Sequence, residues 1–231
     1  MATNVDLAAI GRLLAAPARA AMLDSLFDGQ PWSVRELAAA ACVSPSTACE
    51  HLQRLRQAGL VVAAREGRYQ LYRLKNEEVA DALELLGTLA PPLPPRGLAD
   101  WARNEALHAA RTCYDHLAGR LGVEITDALV ERRYLSAADR GFTPTRAGDR
   151  AFAAVGIDTE SLRSARRPVA RACLDWSERR PHLAGALGAA LLARLESAHG
   201  IERLARSRVV RLRPPGRALL SELGVEPAVG S

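Results

Sequence analysis

The 231-residue sequence lacks the features that mark several large protein classes. No apolar run reaches the ~18–20 residues that a membrane-spanning helix needs, and Met1 to Asp6 holds no basic residue of the kind that opens a secretory signal. The four cysteines include no C-x-x-C pair, so neither a disulfide framework nor a zinc ribbon is expected. We therefore expect a protein without a membrane partner, in the reducing environment of the cytoplasm.

Lysine is almost absent, because all of the 31 basic residues except Lys75 are arginine. Alanine and glycine are abundant too, so we assign this bias to genome composition. Apolar residues make up 48% of the chain and charged residues 25%, which predicts a folded globular protein. The net charge of +5 indicates an anionic partner. Its distribution is uneven, since residues 45–75 carry +4 and residues 76–89 carry −4.

Local signals predict a helix-turn-helix near the N-terminus. The spacing of apolar residues indicates four helices, over residues 7–15, 17–27, 33–41 and 44–57. Ser33 and Glu36 form a capping box for the third helix, and Ser44 caps the fourth with Pro45 at its first position. The short turn Cys42-Val43 separates these two helices, as in a helix-turn-helix.

A β-hairpin follows the fourth helix directly. Residues 60–65 and 69–74 are rich in β-forming residues, and Glu66-Gly67-Arg68 between them forms a turn. Asn76 is the expected cap of a further helix that ends near Leu89. A hairpin placed immediately after a helix-turn-helix predicts a winged helix.

Three motifs in this region carry a family resemblance. They are His51-Leu52 with Leu55, the segment Ala58-Gly59-Leu60-Val61, and the wing sequence Arg65-Glu66-Gly67-Arg68. Through them, residues 7–89 resemble the ArsR/SmtB family of winged-helix repressors. The resemblance implies a homodimer on double-stranded DNA, with the first helix and helix 76–89 as dimer elements. Cys49 and Glu50 depart from the family, which usually has serine and often a basic residue there, so either the preferred DNA sequence or the seating of the helix differs.

The metal sites of this family's sensors are missing. Its arsenic sensors carry a cysteine pair early in the third helix, where this chain has Ser33-Val34-Arg35. Its zinc sensors use Asp and His ligands on the helix after the wing, and residues 76–89 contain no histidine. The cofactor is therefore unknown at this level, with a metal ion or a small-molecule effector as the open alternatives.

The fourth helix is expected to lie in the major groove of DNA. Ala48, Leu52 and Leu55 share one face and should pack into the core. The predicted DNA-binding residues are Ser44, Ser46, Thr47, Glu50, His51, Arg54, Arg65 and Arg68. His51 and Arg54 would reach phosphate or guanine, and the wing arginines would reach the DNA backbone or the minor groove; a solvated face is the alternative.

A proline-rich segment over residues 90–97 predicts a stiff linker. We therefore divide the chain into a winged helix-turn-helix DNA-binding domain over 1–89 and a sensing or regulatory domain over 98–231. The second domain is expected to begin with helices over 98–121 and 122–133.

A weak repeat at an offset of 68 residues links Ala147-Gly148 to Pro215-Gly216. Each copy follows a helix and an expected hairpin, near residues 134–143 and 201–212. The fold class predicted is thus mainly α with small β-hairpin wings. Its helical C-terminal domain would consist of two reduced winged-helix-like units if the repeat is a duplication, whereas generic helix patterning is the other explanation.

The second domain also holds the candidate effector or metal residues. These are Cys113, His116, Cys173, Asp175 and Trp176. Cys113 and His116 are expected on one face of the long helix, and His182 at the start of a later helix. Cysteine and histidine from separate segments suit a soft metal or a redox pair. Alternatives are buried core cysteines and a pocket walled by Trp101, Tyr114 and Trp176.

An arginine cluster, Arg163, Arg166, Arg167, Arg171, Arg179 and Arg180, is open to three interpretations: an anionic effector site, an extended DNA footprint, or a salt-bridged surface. The function predicted overall is a DNA-binding transcriptional regulator, a repressor that responds to an effector. The alternatives are an enzyme, a redox or metal switch using Cys113, His116 and Cys173, or a nucleoid-type binder. No phosphate-binding glycine loop, G-x-S-x-G or H-E-x-x-H motif supports an enzyme.

Overall fold

The computed structural model describes residues 5–139, 141–164 and 166–228. The chain divides into a first unit, Met1–Ala80, and a second unit, Asp81–Ser231. This division falls inside the helix after the wing, whereas the proline-rich segment 90–97 is exposed and lacks regular structure. Within the described residues, no helix combines the length and the apolar character needed to cross a membrane.

The first unit is a winged helix, as predicted. Its elements are α1 (Leu7–Leu14), α2 (Pro17–Ser25), a 3-10 turn (Leu26–Asp28), β1 (Trp32–Ser33), α3 (Val34–Ala40), α4 (Pro45–Gln57), β2 (Val61–Glu66), β3 (Tyr69–Leu74) and the start of α5 (Glu77–Leu89). The capping box of α3 is confirmed, because the Ser33 amide donates to Glu36 Oε2 at 2.7 Å. Ser44 caps α4 by accepting from the Thr47 amide at 3.2 Å.

The wing is a three-stranded antiparallel sheet in the order β1-β3-β2. Its two long strands pair from Val61 with Leu74 to Glu66 with Tyr69. The two-residue strand β1 is too short for any periodic signal, so the sequence did not predict it. It is held by Trp32, whose Nε1 donates to Asp28 Oδ2 at 2.9 Å.

The second unit alternates short hairpins with helices. Together with residues 81–89 of α5, its elements are α6 (Leu98–Ala109), β4 (Arg111–Cys113), β5 (His116–Ala118), α7 (Gly119–Glu131), β6 (Leu135–Ala138), β7 (Gly141–Pro144), α8 (Arg146–Ala154), α9 (Thr159–Arg163), β8 (Arg171–Leu174), β9 (Pro181–Ala184), α10 (Gly185–Ser197), β10 (Ile201–Arg203), β11 (Val210–Leu212) and α11 (Pro214–Glu222). The hairpins expected near residues 134–143 and 201–212 are confirmed.

The helix predicted over residues 98–121 is wrong. Helix α6 ends at Ala109, and the chain then forms the tight hairpin β4–β5, whose turn places Tyr114 at φ 60°. His182 likewise lies on strand β9, not at a helix start. Strands of three or four buried residues carry no period that separates them from a helix. The expectation of a mainly α chain is therefore not confirmed, since several small sheets accompany the helices.

A repeat of hairpin, helix, hairpin and helix organises the second unit. The first copy runs from β4 to α8 and the second from β8 to α11. The sequence His-Leu-Ala-Gly-x-Leu-Gly occurs at residues 116–122 and again at 182–188, at the junction of hairpin and 13-residue helix. This order supports a duplication, although the likeness to reduced winged helices is not confirmed.

The two copies interlock around one core. Helix α7 packs on strand β9 of the second copy, and α10 packs on β5 of the first. The Leu183 amide donates to Thr126 Oγ1 at 2.8 Å, which ties β9 to α7. A Cβ atom on Gly122 would lie 2.6 Å from the Leu117 carbonyl oxygen, so only glycine permits this approach. The hairpins of the two copies are therefore brought face to face.

Candidate functional site

The predicted recognition helix α4 separates an apolar face from a polar one. Ala48, Leu52 and Leu55 are fully buried, as expected. The polar residues Ser44, Ser46, Glu50 and Arg54 are exposed, and Thr47 and His51 are half-buried. Ser44 Oγ lies 2.8 Å from Ser46 Oγ and 2.9 Å from Thr47 Oγ1, so the three hydroxyls form one cluster at the helix N-terminus. All six of these predicted DNA-binding residues therefore belong to α4 or its cap.

His51 has a fixed orientation that the sequence did not predict. The buried guanidinium of Arg19 contacts His51 Nδ1 at 3.2 Å and donates to the carbonyl oxygens of Leu13 and Arg12. Because arginine has no acceptor, Nδ1 must accept in this contact and the ring proton lies on Nε2. His51 thus offers an N–H donor at Nε2, the kind of group that phosphate oxygens or guanine accept from.

The wing tip carries the other two predicted DNA-binding residues. Arg65 and Arg68 are both exposed. The Arg68 guanidinium lies 5.0 Å from the ring centroid of Tyr69 and donates to its hydroxyl at 2.8 Å. Arg65 donates to the Gly67 carbonyl at 3.3 Å across the turn. Neither arginine is paired with a carboxylate in these contacts, which leaves their charge available to an anion.

The second unit brings together a cluster that the sequence predicted only in part. Cys113, His116, Cys173 and His182 are all buried, and one ligand atom of each lies within 4.8 Å of those of the other three. We call these four residues the Cys–His tetrad. Three of them belong to the predicted effector or metal set, and His182 completes the cluster. The sequence feature that could have indicated His182 is the repeated His-Leu-Ala-Gly sequence, which places His182 66 residues after His116.

Each hairpin contributes one cysteine and one histidine as a directly opposed pair. Cys113 faces His116 across β4–β5, and Cys173 faces His182 across β8–β9. Side chains at directly opposed positions of an antiparallel pair lie on the same face. The two faces meet because α7 and α10 each pack on the other copy's hairpin. The Nε2 atoms of the two histidines are 3.1 Å apart.

A carboxylate lies behind each histidine, on the side away from the tetrad. His116 Nδ1 is 3.3 Å from Asp115 Oδ1. His182 Nδ1 is 3.1 Å from Asp175 Oδ2, at ion-pair distance but without the alignment of a hydrogen bond. Asp115 is in turn held by Arg167 through contacts of 2.5 and 3.1 Å. Both rings therefore turn Nδ1 toward a carboxylate and Nε2 toward the centre of the tetrad.

Asp175 is the most heavily connected of these side chains. Its Oδ1 accepts from Arg111 Nη2 at 2.8 Å and its Oδ2 from the Gly119 amide at 2.7 Å. Arg111 Nη2 also lies 3.3 Å from Glu84 Oε1, and Glu84 contacts Arg208 at 3.3 Å as well. Through this buried network, Asp175, the carboxylate behind His182, is connected to Glu84 of α5, which belongs to the second unit.

The buried charges shift the acidities of the cluster. The contact with Cys173, together with burial, raises the pKa of Cys113 above that of an ordinary thiol. Burial alone would raise the pKa of Asp175, but His182 and the positive charge of Arg111 lower it well below the usual carboxyl range. Burial would lower the pKa of His182, but Asp175 and Cys113 reverse this and raise it to about 9.

The remaining candidates of the second unit lie outside the tetrad. Trp176 stacks on Arg111, with the guanidinium carbon 4.5 Å from the ring centroid, and Trp101 is largely exposed. A surface depression of about 470 Å³ near Arg163 includes no member of the tetrad. Much of the predicted arginine cluster is salt-bridged. The pairs are Arg163 with Asp149 and Glu160, Arg167 with Asp115, Arg171 with Asp81, and Arg180 with Asp127.

The first unit is similar in sequence to known regulatory proteins. The family described as "Bacterial regulatory protein, arsR family" matches residues 16–62. HTH-type transcriptional regulator CmtR of Mycobacterium tuberculosis (strain ATCC 25618 / H37Rv) is 43% identical over 33% of this chain and 64% of its own. The homodimeric winged helix-turn-helix DNA-binding domain of Mb0332 from Mycobacterium bovis is 34% identical, covering 38% of this chain and 89% of that one, with a TM-score of 0.34.

One relative matches both units. YdfF of Bacillus subtilis (strain 168), an uncharacterised HTH-type transcriptional regulator, is 41% identical over 93% of this chain and 95% of its own. The similarity therefore includes the repeat and the tetrad region as well as the winged helix. The chain is a DNA-binding transcriptional regulator and belongs to the arsR family of bacterial regulatory proteins.

Proposed function

We propose that the protein is a homodimeric repressor that binds a palindromic operator through α4 and the wing, and that the second unit, acting as its sensor, sets the affinity in response to an effector. The observation that carries the DNA-binding part is the polar face of α4. Its exposed side chains stand over a fully buried apolar face, next to two wing arginines without a carboxylate partner in their contacts. Such a helix contacts base edges while the wing contacts the backbone.

Two helices support self-association. Helix α1 has no buried residue, and Val5 and Leu7 are 63% and 71% exposed. On α5, Leu85, Leu86 and Leu89 are exposed too. Apolar side chains exposed in groups mark surfaces that another protein covers. A second copy of the chain is the occupant that the family resemblance implies, and a dimer places two recognition helices on two half-sites.

Ion pairs between α5 and the rest of the second unit support a regulatory role for that unit. Glu84 is buried and contacts Arg111 and Arg208, while Asp81 is paired with Arg171. The position of residues 81–89 of this helix therefore depends on how the second unit packs. Because α5 is one continuous helix from Glu77 to Leu89, a change in that packing acts on the element that continues directly from the wing.

The DNA interface is tested by Arg54→Ala and Arg68→Ala, with Arg96→Ala as a matched control on the exposed segment 90–97. Each of the first two variants should weaken binding and make the slope of log affinity against log salt shallower by about 0.9 if its arginine contacts one phosphate. Fluorescence anisotropy on an operator selected from random DNA measures both quantities. The assignment of this surface is wrong if Arg54→Ala and Arg68→Ala bind like Arg96→Ala.

The same measurements separate a repressor from a nucleoid-type binder. A specific regulator should protect one palindrome and lose affinity when one half-site is scrambled. Equal affinity for the selected and scrambled DNA would favour the nucleoid-type alternative. Sedimentation that shows a monomer at micromolar concentration would contradict the dimer.

A further inference from the structure

We propose that the Cys–His tetrad binds one thiophilic divalent metal ion, with Zn²⁺ as the reference ion, through two thiolates and two imidazole Nε2 atoms. The site lies in the second unit, away from both metal sites of the family's sensors discussed above. That the metal is the effector rests on the proposed regulatory function. Metal binding itself is independent of that function and is tested separately.

The dimensions of the tetrad fit such an ion. A tetrahedral Zn²⁺ with bonds of about 2.3 Å to sulfur and about 2.0 Å to nitrogen holds its ligand atoms roughly 3.3–3.8 Å apart. The two Nε2 atoms are 3.1 Å apart, and no pair of ligand atoms in the tetrad exceeds 4.8 Å. Small rotations of buried side chains therefore complete the coordination without any change in the fold.

The orientation of the histidines points to a cation at the centre. In metal sites the ring nitrogen that does not bind the metal usually faces a carboxylate or carbonyl, which fixes the tautomer. Asp115 and Asp175 occupy these positions behind His116 and His182. A ring whose Nδ1–H faces a carboxylate presents a lone pair at Nε2. The two Nε2 atoms are 3.1 Å apart, so without a metal one ring donates a proton to the other, and a bound metal ion would take the place of that proton between them.

The charges balance when the ion binds. Each thiol loses its proton to water as its sulfur–metal bond forms, and the proton shared by the two Nε2 atoms leaves to water as well. The two thiolates then neutralise one divalent ion held also by two neutral imidazoles. The outer carboxylates are already paired, Asp115 with Arg167 and Asp175 with Arg111. The loaded centre therefore adds no net charge to the buried interior, which avoids the cost of an unpaired buried ion.

The position of the tetrad gives the ion a regulatory role. Its ligands come from both copies of the repeat, so the ion cross-links hairpin β4–β5 to hairpin β8–β9. One ligand, His182, contacts Asp175, which binds Arg111, which contacts Glu84 of α5. Loading the site thus acts on the same buried network that holds α5.

Cobalt titration tests the binding directly. Co²⁺ added to the chelator-treated, reduced full-length protein should produce the visible bands of a tetrahedral ion and a near-ultraviolet thiolate band, saturating at one equivalent per chain. Zn²⁺ should then abolish both signals by displacement. Because this measurement uses the wild-type protein, no folding defect can mask the result. Absence of a tetrahedral thiolate spectrum at one equivalent would overturn the proposal.

Matched variants assign the ligands. Cys113→Ser or Cys173→Ser should weaken Co²⁺ binding by more than the ~10–100-fold that loss of an outer carboxylate costs. At saturation its thiolate band should be weaker than that of the wild type, because one thiolate remains. Cys42→Ser and Cys49→Ser replace exposed cysteines of the first unit and should bind as the wild type does. Asp115→Asn should weaken binding about 10–100-fold while leaving the spectrum tetrahedral. Wild-type affinity and an unchanged thiolate band in Cys113→Ser, or weakened binding in Cys49→Ser, would contradict the assignment.

Two further outcomes are distinguishable. If the two buried cysteines are a redox pair instead, the protein purified without reductant will hold a disulfide between Cys113 and Cys173, and its reduced form will not take up Co²⁺. If metal binds but operator affinity is the same with and without Zn²⁺, the site stands and its role as the effector site fails. A Zn²⁺-dependent change in affinity that Cys113→Ser abolishes and Cys42→Ser retains supports both.

Discussion

Replacing Arg111 by methionine is expected to destabilise the second unit severely. The Arg111 side chain is fully buried and is shared by two buried carboxylates, Asp175 at 2.8 Å and Glu84 at 3.3 Å. Methionine retains the apolar stem but removes the charge and the hydrogen-bond donors. Asp175 then keeps only uncharged donors and its contact with His182, while Glu84 keeps Arg208.

The magnitude follows from the burial of the pair. Breaking a buried ion pair by removing one partner costs about 3–5 kcal/mol, because the remaining charge loses its solvent without compensation. The donors that Asp175 and Glu84 retain place the expected loss near the lower end, at about 3 kcal/mol. Arg180→Met is the matched control, since Arg180 pairs with Asp127 at 2.7 Å on the surface and its side chain is 59% exposed. Its loss should cost about 0–1 kcal/mol.

Urea unfolding followed by hydrogen exchange and mass spectrometry separates the two units. Peptides from β4, β5 and α7 of the Arg111→Met protein should lose protection at lower urea than in the wild type, by roughly 1–3 M. Peptides from Met1–Ala80 report on the other unit in the same sample. If the Arg111→Met and Arg180→Met proteins unfold at the same urea concentration, the buried network does not stabilise the second unit in the way described.

Two further substitutions test the local packing. Gly122→Ala should destabilise the second unit by about 1–3 kcal/mol, because the new Cβ would lie 2.6 Å from the Leu117 carbonyl oxygen. Gly11→Ala on exposed α1 meets nothing within 4 Å and should be neutral or stabilising by up to about 1 kcal/mol. Thermal unfolding compares the two, and an equal loss in both would refute the packing argument. Ser33→Ala should cost the first unit about 1 kcal/mol by removing the α3 cap, and an unchanged unfolding midpoint would contradict this.

The winged helix could be predicted because its signals are local. Ser44, Pro45 and the apolar residues of α4 lie within a few turns of one another, and the capping box of α3 spans four residues. The wing carries its own turn at Gly67, between two strands rich in β-forming residues that pair directly with each other. Strand β1 was not predicted because its two residues form a strand only by pairing with β3, which lies about 40 residues further along the chain.

The second unit could not be predicted in the same way. Residues 111–118 contain three-residue strands whose burial comes from contacts with the other copy of the repeat, so their local pattern is compatible with a helix. The expectation that Cys113 and His116 lie on one helix face paired the right residues for the wrong reason. They share a face because they oppose each other across a hairpin. The identical His-Leu-Ala-Gly sequences would have indicated that His182 belongs with them.

The sequence by itself determined the family and the helix-turn-helix, including the buried apolar face and the exposed polar face of α4, since caps, turns and helical period act over a few residues. Only the tertiary structure decided which buried side chains meet. His116 and His182 are 66 positions apart, yet their Nε2 atoms are in hydrogen-bond contact. That contact exists because each long helix of the repeat packs on the other copy's hairpin. This packing is driven by the burial of apolar surface between residues far apart in the chain, which a local sequence pattern does not reveal.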